Sequence, residues 1–409
     1  MSLAIEFSDV EAAAERIAEY VVRTPVVRAP SLEERSGAHV WLKLETRQRT
    51  GSFKDRGAAN RLLQLSAGER KNGVIAMSAG NHAQAVAYQG MRLGIPTTIV
   101  MPEATPFTKV RRTEAFGATV ALTGEGLAEA GEYATRVARE RDLTLVPPYD
   151  DERIVAGQGT AGLELLRDVP NLDVLLVPVG GGGLIAGVAI AAKLLSPKIE
   201  IVAVQTEQYP SLQRVLQGLP PAHGSATVAE GIAVKSIGEI PLTILRELVS
   251  DVILVSEQAI EFAIHTLLED EKLLAEGAGA AGIAALLENA ERFRHRKVGV
   301  IVTGGNLDTG LLANVILRVR LQEGRVVRMR VEISDRPGVL ADVARVIGEC
   351  GANILDVTHQ RLFQDVSSKD AELDITFETR SPADLERVRG KLSEAGYPTS
   401  LLETTARAR

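Results

Sequence analysis

"DVLLVPVGGGGLIAG" (173–187) opens with seven residues, mostly valine and leucine, that show no polar face. Such a run reads as a strand covered on both sides, the condition of a strand inside a parallel sheet. Four glycines then lead directly into an apolar helical stretch. Strand, glycine turn and helix together form the repeating unit of a layered α/β fold. Seven further runs extend the pattern: "HVWLKLE" (39–45), "GVIAMS" (73–78), "TTIVMP" (97–102), "ATVALTG" (118–124), "EIVAVQ" (200–205), "DVILVS" (251–256) and "VGVIVTG" (298–304). Alanine-rich helical segments such as 81–93, 160–168 and 277–287 lie between them. The expectation is α/β with one or two largely parallel sheets.

The pattern changes near Gly324. From there the order reads strand, helix, strand, strand, helix, strand over the remaining residues. In "ELDITFE", Leu373, Ile375 and Phe377 alternate with polar residues, as on a sheet covered on one face. "RPGVLADVARVI" places Pro337 as a first-turn helix residue. This predicts a ferredoxin-like βαββαβ unit, with a boundary at about 320–326.

The 409 residues are 45% hydrophobic and 24% charged, the balance of a globular chain with an ample core. Aromatics are only 4%, which disfavours stacking platforms for single-stranded nucleic acid. A net charge of -7 gives no electrostatic reason to bind phosphate backbones. The single cysteine, Cys350, excludes an internal disulfide and a cysteine-rich metal site. The acidic N-terminal segment lacks a leader pattern, and no apolar run reaches the roughly 18 residues of a membrane span. A cytoplasmic chain without membrane or nucleic-acid partners is expected.

Small-residue segments stand where strands turn into helices, the end at which open α/β sheets bind ligands. "SAGNHAQAVA" (78–87) can aim N–H groups of Ser78, Gly80 and Asn81 at a carboxylate, or simply cap a helix. "VPVGGGGLIAG" (177–187) lets bare main chain approach a phosphate. Its spacing is not that of a G-x-G-x-x-G dinucleotide turn after a first strand, although Glu207 follows the next strand. "VTGGNLD" (302–308) offers the Thr303 hydroxyl, or only a turn. Glu276, in "LLAEGAGAAGIAAL", is either a helix-start charge or a site carboxylate. "TGSFKDRGA" (50–58) holds Lys54 in a tight turn beside Phe53, where desolvation would lower the amine pKa and free a nucleophile. A phosphate cradle, a carboxylate cradle and a nucleophilic lysine on one scaffold point to pyridoxal 5'-phosphate chemistry.

"TGSFKDRGA", "SAGNHAQ", "GQGTAGLEL" (157–165), "PVGGGGLIAG", "AEGIAVKSIG" (229–238), "AEGAGA" and "TGGN" run in one order over about 5–318. As a set they resemble the threonine ammonia-lyase (threonine dehydratase) family of fold-type II pyridoxal phosphate enzymes. "DRPGVLADVARVIGECGANI" (335–354) resembles an ACT regulatory domain. The resemblance implies a two-subdomain, tryptophan synthase β-like catalytic domain over 1–320, with a smaller subdomain at about 50–150, then an ACT domain over 326–409. It implies that Lys54 is the Schiff-base lysine, that Phe53 lies against the cofactor ring and that Asn81 contacts the ring oxygen. Ser78, Ala79, Gly80, Asn81 and His82 would grip the substrate carboxylate. Gly180, Gly181, Gly182, Gly183 and Leu184 would cradle the phosphate. Thr303, where the family often has serine, would face the ring nitrogen, and Glu276 would lie near the substrate's reacting end.

The implied reaction is β-elimination of L-threonine to 2-oxobutyrate and ammonia, with L-serine giving pyruvate. Related serine racemases carry a second serine at the position of Ala79, which has no exchangeable proton. Serine racemase/dehydratase and 3-hydroxyaspartate ammonia-lyase are the alternatives. Threonine synthase shares the lysine segment but typically lacks His at the position of His82. A non-catalytic amino-acid sensor is a further reading, which the intact lysine and glycine loop oppose. Glu230 sits in a loop that in relatives can hold K⁺, Mg²⁺ or Ca²⁺, or it is a solvated acid. In ACT units an amino-acid effector is expected near Asp335, Pro337, Gly338, Val339, Leu340 and Asn353. A homodimer or homotetramer is expected.

Overall fold

The computed structural model describes residues 4–360 and 370–402. The chain divides into two compact units between Asp308 and Thr309. The helix Thr309–Gln322 therefore groups with the second unit, although it precedes the expected boundary at 320–326.

The first unit contains two sheets. The larger runs in the order Val26–Arg28, His39–Leu44, Lys297–Val302, Val174–Pro178, Glu200–Thr206, Asp251–Val255. All its pairings are parallel except that of the edge strand Val26–Arg28. All five residues of Val174–Pro178 are buried, as its unbroken apolar run requires. The second sheet is wholly parallel, in the order Thr119–Leu122, Thr97–Met101, Val74–Met77, Thr144–Leu145. In sequence it falls between the strands His39–Leu44 and Val174–Pro178 of the larger sheet.

The eight anticipated strands all form, each within a residue or two of its expected ends. The helix expected at 160–168 is longer, Glu152–Asp168. Its first turns contain Gly157 and Gly159, which weaken a helix in isolation. Packing explains them: a Cβ on Gly159 would lie 2.7 Å from the carbonyl oxygen of Gly187 in the helix Gly183–Leu195. The two helices touch main chain to main chain.

The second unit contains strand Val326–Ser334, helix Val339–Glu349, strands Asn353–Gln360 and Asp370–Glu378, helix Pro382–Glu394 and strand Thr399–Leu401. The sheet order is Asn353–Gln360, Asp370–Glu378, Val326–Ser334, Thr399–Leu401, antiparallel throughout. Met329, Val331, Leu373, Ile375 and Phe377 point to one face and form the core with Val343, Ile347, Val388 and Leu392 of the two helices. Pro337 is not in the first helical turn. Gly338, at φ +95°, caps the helix instead, and Val339 starts it. That left-handed backbone suits only glycine and cannot belong to the helix itself.

Candidate active site

Lys54 is the first residue of the helix Lys54–Leu63. Main-chain pairing fixes the approach to it. The Phe53 N–H donates to the Thr303 carbonyl at 3.0 Å, and Ser52 forms an isolated bridge to Gly304. Asp55 accepts from the Thr50 N–H at 3.1 Å and from its hydroxyl. Beyond Lys54, a Cβ on Gly57 would lie 2.9 Å from the Ile154 carbonyl oxygen, and one on Gly157 2.8 Å from that of Arg56. The glycines of "KDRGA" and "GQGTAG" thus let this helix pack directly on Glu152–Asp168.

A buried charge network anchors the same turn. The Arg56 guanidinium donates to both carboxylate oxygens of Glu45 and both of Glu164, each at 2.8 Å. Lys43 donates to Glu164 at 2.6 Å and to the Thr24 carbonyl at 2.7 Å. Two cations meet two carboxylates, with Arg56, Lys43 and Glu45 fully buried. The sequence reading missed this network. Its one sequence signal was an arginine in a helix start otherwise rich in small residues.

The Lys54 amine donates to the Pro148 carbonyl at 2.6 Å and lies 5.1 Å from the Phe53 ring centroid. Burial lowers its pKa to about 8, so an appreciable neutral fraction exists near neutrality. His82 is 3% exposed and its Nε2 is 2.9 Å from the Val146 carbonyl. That acceptor places the proton on Nε2 and leaves Nδ1 as a buried lone pair without a partner. Burial and the nearby Lys54 charge push its pKa down to about 3, which keeps the ring neutral.

Next to Pro148, Tyr149 lies on the glycine turn. A Cβ on Gly181 would run into its ring, and one on Gly183 would lie 3.0 Å from its Cβ. Gly182, at φ +95°, caps the helix Gly183–Leu195. Among the described residues, the N–H groups of Gly182, Gly183 and Leu184 have no acceptor in the chain. Free N–H groups at the start of a 13-residue helix, with no side chains in the way, suit a phosphate ester. Pro148 and Tyr149 therefore bring the amine and the glycine turn together.

A third strand of contacts closes the site. Asn81 starts the helix Asn81–Leu93, and its Nδ2 donates to Glu276 at 2.6 Å. Asn306 donates to the Asn81 oxygen at 2.8 Å and to the Thr50 carbonyl at 2.7 Å. Burial pushes the Glu276 pKa up to about 7, with Asn81 and Lys109 acting against it and Glu230 adding to it. Glu276 and Ser52 both crowd Gly304, where a Cβ would lie 3.1 Å from the Glu276 Cδ and 3.2 Å from the Ser52 Cβ. The Ser52 hydroxyl is buried without a partner. Ser78 does not cap the helix; its hydroxyl accepts from the Gly80 N–H at 3.2 Å. Ala79 lies between them. Asn306 closes "TGGN" (303–306), but nothing in local spacing reveals its contact with Asn81 across 225 residues.

The Glu230 carboxylate is held by Lys109 at 2.6 Å. The described residues gather no cluster of three acid, histidine or cysteine side chains that could hold a metal. In the second unit Asp335, Pro337, Gly338, Leu340 and Asn353 are exposed, and Val339 is half-buried. Among the described residues no helix is long and apolar enough to cross a membrane.

Residues 17–304 match the family described as pyridoxal-phosphate dependent enzyme, and residues 322–396 match the ACT domain. The L-threonine ammonia-lyase of Thermotoga maritima is 39% identical over 97% of this chain and 100% of its own length. That of Geobacter sulfurreducens is 39% identical over 98% and 100%. The crystal structure of the T.th. threonine deaminase is 38% identical with a TM-score of 0.70, covering 74% of this chain and 99% of that one. Serine racemase from Dictyostelium discoideum is 34% identical with the same TM-score and the same coverage. With its lysine, glycine turn and two largely parallel sheets, this chain belongs to the fold-type II pyridoxal-phosphate dependent enzymes and carries an ACT domain after the catalytic unit.

Proposed function

We propose that this enzyme eliminates water from L-threonine to give an enamine, which takes up water again and releases ammonia to give 2-oxobutyrate, and that it acts on L-serine as a secondary substrate to give pyruvate. The observation that carries this reading is the adjacency of Pro148 and Tyr149, which joins a desolvated lysine amine to a bare glycine turn. Near-full-length relatives named L-threonine ammonia-lyase support the choice of substrate.

When bound, pyridoxal phosphate supplies an aldehyde to capture the substrate amine and a ring to delocalise the electrons left at Cα. Gly180, Gly181, Gly182, Gly183 and Leu184 would hold its phosphate, Phe53 would lie against its ring, and Thr303 would face the ring nitrogen. Lys54 is the residue that would carry the aldehyde in the resting enzyme, and its amine, when neutral, would take the Cα proton of the substrate. Asn81 and His82 fix the substrate carboxylate through N–H groups at a helix start, with the Ser78 hydroxyl beside them; the Ser78 N–H already donates to the Val100 carbonyl and the Gly80 N–H to the Ser78 hydroxyl. The neutral His82 adds no charge there. Glu276, protonated for much of the range below about pH 7, donates rather than repels near the departing hydroxyl. Ala79 provides no second proton carrier, so return of a proton from the opposite face is disfavoured and elimination prevails over racemisation. We further propose that an amino acid binding near Asp335, Pro337, Gly338, Val339, Leu340 and Asn353 modulates activity, and that the enzyme is a cytoplasmic homo-oligomer.

The test is turnover. Cofactor-loaded enzyme should convert L-threonine to 2-oxobutyrate and ammonia, with little D-amino acid. Efficient racemisation at the expense of keto acid, or activity only toward O-phosphohomoserine, would overturn the reading.

A further inference from the structure

The ion pair between Lys109 and Glu230 has no part in the chemistry above. Lys109 comes from the helix Phe107–Glu114, beside the smaller sheet, and Glu230 from the short turn Glu230–Ile232. Their 2.6 Å contact therefore joins segments far apart in sequence. Both lie close enough to Glu276 to act on its carboxyl: Lys109 favours the charged form and Glu230 opposes it. Gly231 confirms the proximity, since a Cβ there would lie 3.5 Å from a Glu276 oxygen. Among the described residues, the charged groups that act on Glu276 are thus one carboxylate, Glu230, and one cation, Lys109, and that cation is already paired.

We propose that Glu230, by occupying Lys109, selects against substrates with an acidic β-substituent; this rests on the β-elimination reading. A β-hydroxy amino acid with a second carboxylate would place a negative charge near Glu276 and Glu230 and find Lys109 engaged. The Lys109 side chain is 30% exposed and that of Glu230 66%, so solvent screens part of the repulsion, but a charge without a partner there still binds less well than an apolar group. The methyl group of threonine or the hydrogen of serine meets no such penalty. Freed from Glu230, the same lysine becomes the partner an acidic side chain needs. Elimination would then convert 3-hydroxyaspartate to oxaloacetate and ammonia by the same loss of water and hydrolysis.

The test uses non-reacting ligands that lack the leaving hydroxyl. Calorimetric titration of the cofactor-loaded enzyme gives the ratio of affinities for L-aspartate and L-2-aminobutyrate. Glu230→Gln should move that ratio toward aspartate by roughly two- to fivefold, the scale of a partly exposed ion pair, and the double variant with Lys109→Gln should lose the gain. The ratio of kcat/KM for 3-hydroxyaspartate over threonine should follow. An unchanged ratio in Glu230→Gln, or a gain that survives Lys109→Gln, would overturn the proposal. Wild-type enzyme inert to L-threonine but showing the same ligand shift would refute the elimination reading and leave charge selection supported.

Discussion

The Lys54 amine offers the sharpest quantitative prediction. Its pKa falls from 10.5 to about 8 because burial removes water from the ammonium, and the Pro148 carbonyl does not restore what water supplied. At pH 7 an ordinary lysine is neutral in roughly 3 molecules per 10,000; at a pKa of about 8 the neutral fraction is about 9%, a gain of roughly 300-fold. That fraction is what can attack an aldehyde. Competitive labelling of cofactor-free enzyme with acetic anhydride between pH 6 and 11, read by mass spectrometry of the Lys54 peptide, measures it against a small-amine standard. The expected midpoint is near 8. A midpoint at 10 or above would refute the reasoning. The sign of the stability effect follows. Between about 8 and 10.5 the unfolded lysine holds its proton while the folded one has lost it, so the cofactor-free chain should gain stability as pH rises through that window.

Arg56→Met should leave the fully buried Glu45 and the half-buried Glu164 with Lys43 as their remaining cation, costing about 3–5 kcal/mol; urea unfolding followed by circular dichroism would show it, and an unchanged midpoint would contradict the network. Gly181→Ala puts a methyl group into the Tyr149 ring, and overpacking of about 1–3 kcal/mol should weaken pyridoxal phosphate binding by roughly 5- to 160-fold with secondary structure retained. Glu276→Gln removes a group that titrates at about 7 in the ligand-free chain, so the kcat/KM profile between pH 6 and 8 should lose one limb; an identical profile would remove Glu276 from the reaction. Ala79→Ser should raise D-amino acid formation relative to keto acid, measured by chiral chromatography.

Much of the fold was legible because parallel strands buried on both faces need unbroken apolar runs, and 74–77, 174–178 and 298–302 have them. The edge strands Val26–Arg28 and Thr144–Leu145 were not legible. They are three and two residues long and carry no periodicity. Gly157 and Gly159 read locally as helix breakers, and their value emerges only when the partner helices are in place. Lys54, Asn81 and the glycine turn announced themselves through small-residue turns after strands. The parts that join them did not. Pro148 acts through a carbonyl every residue has, Tyr149 through the shape of its ring, and Asn306 through a long-range contact. Glu230 was legible as a charged loop residue, but its partner Lys109, 121 positions away, was not.

Borohydride reduction of the cofactor-loaded enzyme, followed by peptide mapping, most directly tests whether Lys54 carries the aldehyde bond. The pyridoxyl adduct should fall on Lys54 alone, with the absorbance of the bound cofactor lost in Lys54→Ala. An adduct on another lysine, or none, would contradict the account.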